Sequence, residues 1–255
     1  MRQRFSTLCQ TRVWCVLALV LVFLTLPATA QPRKTPKLPE VGPRAVVIDE
    51  RLSALRDAPN LTAKLLHRLS RGRVVAVSGL KKTPDGLTFY RVFISRRTSG
   101  WLQAEAVATS VRAGDDQRTW EFVQASDDFE RISRARLFVD WFPASPRRPA
   151  ALLLLGDAAE TASARLSRDA GRRLEEDEMT ARGAPVYSYF LNYNGLDRYN
   201  RAGVRFTFDE KAKRFHYDGT AWREITRRYP KSAEAPEAKK RLDKLAEMMG
   251  KTEGK

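Results

Sequence analysis

The chain predicts a multidomain β + α protein: a small antiparallel β-barrel followed by an α-helical domain of paired helices with an inserted β-hairpin. Three observations carry this. Short β-branched and aromatic runs separated by turn residues fill residues 44–112. After Asp116 apolar residues recur at three- and four-residue steps. Finally, one phrase of the helical part occurs twice, as FPASPRRPAALLLLGDAAE at 142–160 and YPKSAEAPEAKKRLDKLAE at 229–247. A shift of 87 positions superposes Ser145 on Ser232, Pro149 on Pro236, Ala151 on Ala238 and Leu155 on Leu242.

Arg2, Arg4 and Arg12 precede an apolar run from Val13 to Leu24, and Ala28-Thr29-Ala30 follows. A basic head, a short apolar stretch and a small-x-small site are the parts of a secretory signal peptide, so residues 1–30 are expected to be removed on export. Twelve apolar residues fall short of the ~18 that a spanning helix needs, so no transmembrane segment is expected after cleavage. Gln31 stands where a lipid-bearing cysteine would follow the site. Cys9 and Cys15 lie inside the peptide, which leaves the mature chain without disulfide, thiol nucleophile or cysteine-held metal. Residues 31–43, QPRKTPKLPEVGP, hold four prolines among basic residues and read as a stiff Pro-rich basic linker.

In residues 44–112 the strand-sized runs are AVVI at 45–48, SALR at 53–56, RVVAVSG at 73–79, TFYRVFI at 88–94 and GWLQ at 100–103. Five short strands at this spacing suit a small barrel or sandwich. Leu55-Arg56-Asp57-Ala58-Pro59 is followed by Ala63-Lys64-Leu65-Leu66, Leu69-x-x-Gly72-x-Val74-Val75, Phe89-Tyr90-x-Val92 and Gly100-Trp101-Leu102. This order resembles the bacterial SH3-like domain of envelope and wall-associated proteins, with Arg56 in the usual "LR" position, Gly72 in the hairpin turn and Gly100-Trp101 in the last strand. Ser53-Ala54 occupies the place where that family usually has an Asn. The resemblance implies a binding module.

The helical domain is expected over 117–250. Phe129, Ile132, Ala135, Val139 and Phe142 form one stripe, opened by Ser126 as N-cap and closed at Phe142-Pro143. Leu152, Leu155, Ala159, Ala162 and Leu166 form the next, starting at Ser145 with Pro146 and Pro149 in the first turn. In the second copy Asp218-Gly219-Thr220 opens a short helix whose Trp222 and Ile225 point inward before Tyr229-Pro230. A helix pair cannot bury its own apolar face and so stacks on a neighbour. The pattern aromatic-Pro-x-Ser-x-x-x-Pro-x-Ala-x-x-x-Leu resembles tetratricopeptide-like repeats of envelope proteins, in which helical pairs bind other proteins. The spacing of 87 departs from the usual ~34 residues.

Between the copies, Tyr187, Phe190 and Leu191 share one helical face, and Val204, Phe206 and Phe208 alternate, as do Phe215 and Tyr217 across DEKAK. A β-hairpin is expected there. Its aromatics either cap the stack or bind a ligand.

Chemistry-bearing constellations are sparse. The mature chain has only His67 and His216, one in each expected domain, where a zinc hydrolase needs about three protein ligands. The acidic run Glu175-Glu176-Asp177-Glu178 beside Arg172-Arg173 reads as a solvated helix end rather than a glycosidase pair. No cofactor or metal is expected. Removing Arg2, Arg4 and Arg12 leaves 43 Lys and Arg against 30 Asp and Glu, a formal charge of +13, which favours anionic partners. Aromatic and basic residues interleave at Tyr189–Arg205 and Phe206–Tyr217, but export and the lack of a recognition motif argue against nucleic acid.

The expected function is therefore an exported, non-catalytic binding or scaffold protein of the cell envelope, periplasmic or extracellular, with a protein partner and with peptidoglycan as a candidate ligand. The alternative is a wall-lytic or wall-modifying enzyme. In the barrel, Tyr90 and Val92 are expected to face the core, leaving Phe89 and Arg91 outward and Trp101 on the following strand as ligand-binding residues. Otherwise Phe89 covers a loop and Trp101 belongs to the core.

Overall fold

The protein is described by a computed structural model that covers residues 38–40, 42–174, 179 and 183–250. The expected signal peptide, most of the linker and the acidic run at 175–178 lie outside the described residues.

Seven strands, β1 (Arg44–Val47), β2 (Ala54–Arg56), β3 (Leu65–Arg68), β4 (Val74–Lys82), β5 (Thr88–Phe93), β6 (Ser99–Gln103) and β7 (Val107–Thr109), form one antiparallel sheet. Their order is β3-β2-β6-β5-β4-β1-β7. All five expected runs are strands. The two unforeseen ones lack alternation, because β3 is exposed at every position and β7 buried at every position. The expected barrel does not close. Among the described residues β3 pairs only with β2 and β7 only with β1, and the chain following β7 turns directly into helix rather than into another strand. Gly72, at φ 77, turns the chain between β3 and β4. Those strands are not neighbours, since β4 pairs with β1 and β5, so this is not a hairpin turn. The linker's end also joins the sheet, where Pro43 C=O accepts from Val77 N–H at 3.0 Å.

β1 is buried on both faces, which accounts for the unbroken apolar run AVVI. Ala45 and Val47 join Leu55, Val75, Val92, Leu102 and Val107 in the sheet's own core. Val46 and Ile48, with Ala108, face the helical core instead. The junction is further tied by Asp115, the first residue of α1 (Asp115–Gln124) and 2% exposed. Its Oδ2 accepts Thr109 N–H at 2.7 Å. Its Oδ1 accepts Arg112 Nε at 2.7 Å and Arg118 Nη2 at 2.9 Å. Arg112 in turn donates to Tyr90 Oη at 3.0 Å. Burial disfavours the charged Arg112 guanidinium, yet its hydrogen bond and charge pairing with Asp115 outweigh that, and its pKa rises above the ordinary arginine value. Residues 44–124 expressed alone are expected to melt cooperatively, at a higher temperature than residues 44–112, which lack this clamp. Equal midpoints by circular dichroism would show that the clamp contributes nothing.

The helices follow as α2 (Asp128–Trp141), α3 (Arg148–Arg173), α4 (Val186–Leu191), α5 (Asp197–Arg201), α6 (Thr220–Arg228) and α7 (Ala235–Gly250), with the strands β8 (Phe206–Asp209) and β9 (Arg214–Tyr217) before α6. Ser126 does not cap α2. Its hydroxyl donates to Val123 C=O at 2.8 Å and closes α1, and Asp127 is the N-cap. The α2 and α3 stripes are buried as expected, Phe129 partly. In α4 only Phe190 of its expected face is buried, while Tyr187 and Leu191 are exposed. Six residues are too few to present a stripe over two turns.

The repeated phrase is repeated in the backbone. Phe142 N–H donates to Phe138 C=O at 2.9 Å, and Tyr229 N–H to Ile225 C=O at 2.8 Å. Ser145 N–H donates to Phe142 C=O and Ser232 N–H to Tyr229 C=O; Arg148 N–H to Ser145 C=O and Ala235 N–H to Ser232 C=O. The stop residues share a conformation, φ −117, ψ 63 at Phe142 and φ −128, ψ 48 at Tyr229. Each unit is therefore helix, tight turn, helix, and α3 packs directly on α6. The side chains differ: Ser145 donates to Asp116 Oδ2 at 2.9 Å, whereas Ser232 Oγ is buried without a partner among the described residues.

The long spacing between copies is an insertion that docks on α3. β8 and β9 pair antiparallel, Phe206 opposite Tyr217 and Phe208 opposite Phe215, as the alternation predicts. The outer N–H groups of β9 are accepted by α3 side chains, Phe215 by Ser167 Oγ at 2.8 Å and Tyr217 by Glu160 Oε2 at 2.7 Å. Tyr217 Oη then accepts Ala221 N–H at 2.8 Å at the start of α6. An edge strand thus ends covered rather than open.

Candidate ligand-binding face

Residues directly opposite in antiparallel strands present their side chains on the same face. Trp101 on β6 stands opposite Arg56 on β2 and opposite Arg91 on β5. Arg56 is in turn opposite Leu65 on β3, and Arg91 opposite Gly79 on β4. A row Leu65–Arg56–Trp101–Arg91–Gly79 therefore crosses five strands, with the indole between two guanidinium-bearing side chains. The other face of β5 and β6 carries Tyr90, Val92 and Leu102 into or against the sheet's core.

Gly100 makes this arrangement fit. A Cβ there would lie 2.7 Å from Arg56 C=O and 2.8 Å from Leu55 Cγ, so only a bare backbone lets β6 approach β2 and set Trp101 beside Arg56. Arg56 is half-buried and donates to Ala63 C=O at 2.7 Å, holding the loop between β2 and β3. Arg91 is exposed and has no side-chain hydrogen bond or ion pair among the described residues. Trp101 is half-buried and Leu65 43% exposed. The strands that build this face are strongly basic: residues 44–112 hold thirteen Lys and Arg against five Asp and Glu.

The structure thus brings Arg91 and Trp101 together and separates Phe89 from them. Phe89 shares their face but is 1% exposed, which corrects its expected outward position. Its register partners are Lys81 and Gln103, long side chains with apolar stems suited to lie along a ring. Sequence reasoning missed Arg56 and Leu65 as parts of the row, because the pairing of β2 with β6 joins segments 45 residues apart. The "LR" position of Arg56 was the available sign.

The two histidines stay apart in role. His67 is exposed on β3, and His216 is buried with Nδ1 3.2 Å from Glu160 Oε1. Among the described residues no group of three or more His, Cys, Asp and Glu side chains could hold a metal ion. Among them, too, no helix is long and apolar enough to cross a membrane. Comparison with protein-family models, with curated proteins and with solved structures finds no match to this chain.

Proposed function

We propose that this chain is an exported, non-catalytic binding protein of the cell envelope. Its sheet serves as an opened SH3-like module for an anionic wall polymer or peptide, and its helix pairs serve as a tetratricopeptide-like scaffold for a protein partner. The observation that supports this best is the row Arg56–Trp101–Arg91 on the basic sheet. A half-exposed indole flanked by cations offers a sugar ring or side chain an apolar wall and offers carboxylates a charge partner. The scaffold role rests on the shared turn of the two helix pairs and on their stacking through α3 and α6.

Co-sedimentation of residues 31–255 with insoluble peptidoglycan tests the reading. Wild type is expected in the pellet, and Arg91→Gln with Trp101→Ala is expected to weaken binding about tenfold, the effect of losing about 1.4 kcal/mol. Equal pelleting of both proteins, or of neither, would remove wall binding through this face. Release of soluble wall fragments would favour the enzymatic alternative.

A further inference from the structure

A cleft elsewhere in the molecule shares no residue with the sheet row. It is a cavity of about 430 Å³ where β1, the β3–β4 turn, α2 and the end of α5 meet. Three arginines line it, Arg71, Arg136 and Arg201, with Leu137 and Trp141 as its apolar side and Asp140 as its one carboxylate.

The charges there are unevenly matched. Asp140 is occupied by Arg136, with Nε 3.0 Å from Oδ2 and Nη2 3.0 Å from Oδ1. Arg71 reaches Glu130 through Nη1 at 2.7 Å. Arg201 is exposed and has no side-chain partner among the described residues. The turn that carries it lies against Arg136: a Cβ on Gly203 would stand 3.6 Å from Arg136 Nε. One cleft therefore gathers three guanidiniums against one carboxylate, with Arg201 unpaired among the described residues, and an apolar wall.

Surplus positive charge carried on planar guanidiniums beside an apolar wall suits a ligand that is anionic and rich in oxygens. We infer that this cleft binds a small oxyanion-bearing ligand, a phosphate monoester or a polycarboxylate. Arg71, Arg136 and Arg201 neutralise its oxyanion, and Leu137 and Trp141 cover its carbon part. This inference stands independently of wall binding by the sheet.

Isothermal titration of residues 31–255 with sodium phosphate and with citrate, at ionic strength held constant by sodium chloride, tests it. Saturable binding of at least one anion is expected. Phosphate alone would assign a phosphate-bearing ligand, and citrate alone a carboxylate. Arg201→Gln, at an exposed position, is expected to weaken that binding about tenfold, the usual scale for one charge-assisted contact. Lys81→Gln, outside the cleft, should leave it unchanged. Heats indistinguishable from the chloride control for both anions would overturn the inference. So would an affinity equal to wild type in both Arg201→Gln and Arg136→Gln, with folding checked by circular dichroism.

Discussion

Trp222→Ala is expected to destabilise the protein by about 3–5 kcal/mol, the range for emptying a large buried aromatic site. Trp222 is 2% exposed and lies in the core that the two helix pairs share. Tyr217 stands edge-on to it, with ring centroids 5.3 Å apart at 86°. On the other side lies Gly156 of α3, where an added Cβ would fall 2.3 Å from Trp222 Nε1. Gly156→Ala is therefore expected to cost about 1–3 kcal/mol through overpacking, although alanine in an open helix would gain about 1 kcal/mol over glycine. Combining the two changes should cost less than their sum, because the shortened side chain removes the clash. Urea denaturation of the three variants measures this. A stabilised Gly156→Ala protein would show that Trp222 is not seated on α3.

Asp115→Ala is expected to lose about 3 kcal/mol, the lower end for breaking a buried ion pair, since both arginines keep some access to water. The carboxylate is 2% exposed on its side chain, with Arg112 at 32% and Arg118 at 28%. Its removal orphans Thr109 N–H and leaves two guanidiniums crowded together. Asp115→Asn retains one acceptor oxygen and should lose less. Guanidinium denaturation together with amide exchange at Thr109 would check both. A fall below ~0.5 kcal/mol, the surface range, would mean that this carboxylate does not hold the sheet to the helices.

Much of the fold was legible because it rests on local rules. Alternation in TFYRVFI and FTFD names the element, and the steps of Ile132, Ala135 and Val139 or of Leu152, Leu155 and Ala159 name both the element and its inner face. Phe142-Pro143 and Tyr229-Pro230 stop helices wherever they occur, since proline excludes the preceding residue from the helical region. Where no local period exists the reading failed. β3 and β7 each lie wholly on one side of the burial scale, so neither shows a strand's alternation. Ser126 offered the right chemistry for either of two helix ends, and only the position of Val123 C=O decides between them.

The candidate site divides in the same way. Arg91 and Trp101 could be picked from the alternation of their own strands, but Phe89 passed the same test and is buried. Alternation tells which face a side chain takes, not whether that face is covered.

By itself the sequence determined where the chain is extended, where it is helical, and that one helical turn would be built twice, because those are short-range consequences of side-chain shape and spacing. Tertiary structure alone decided that the barrel stays open, that Asp115 locks the sheet to the helices, and that an insertion docks so α6 can follow α3. It also decided that Arg56, Trp101 and Arg91 become neighbours. Each of these depends on contacts between residues far apart in the chain, whose pairing is selected by the total burial and hydrogen bonding of the whole molecule rather than by any one segment.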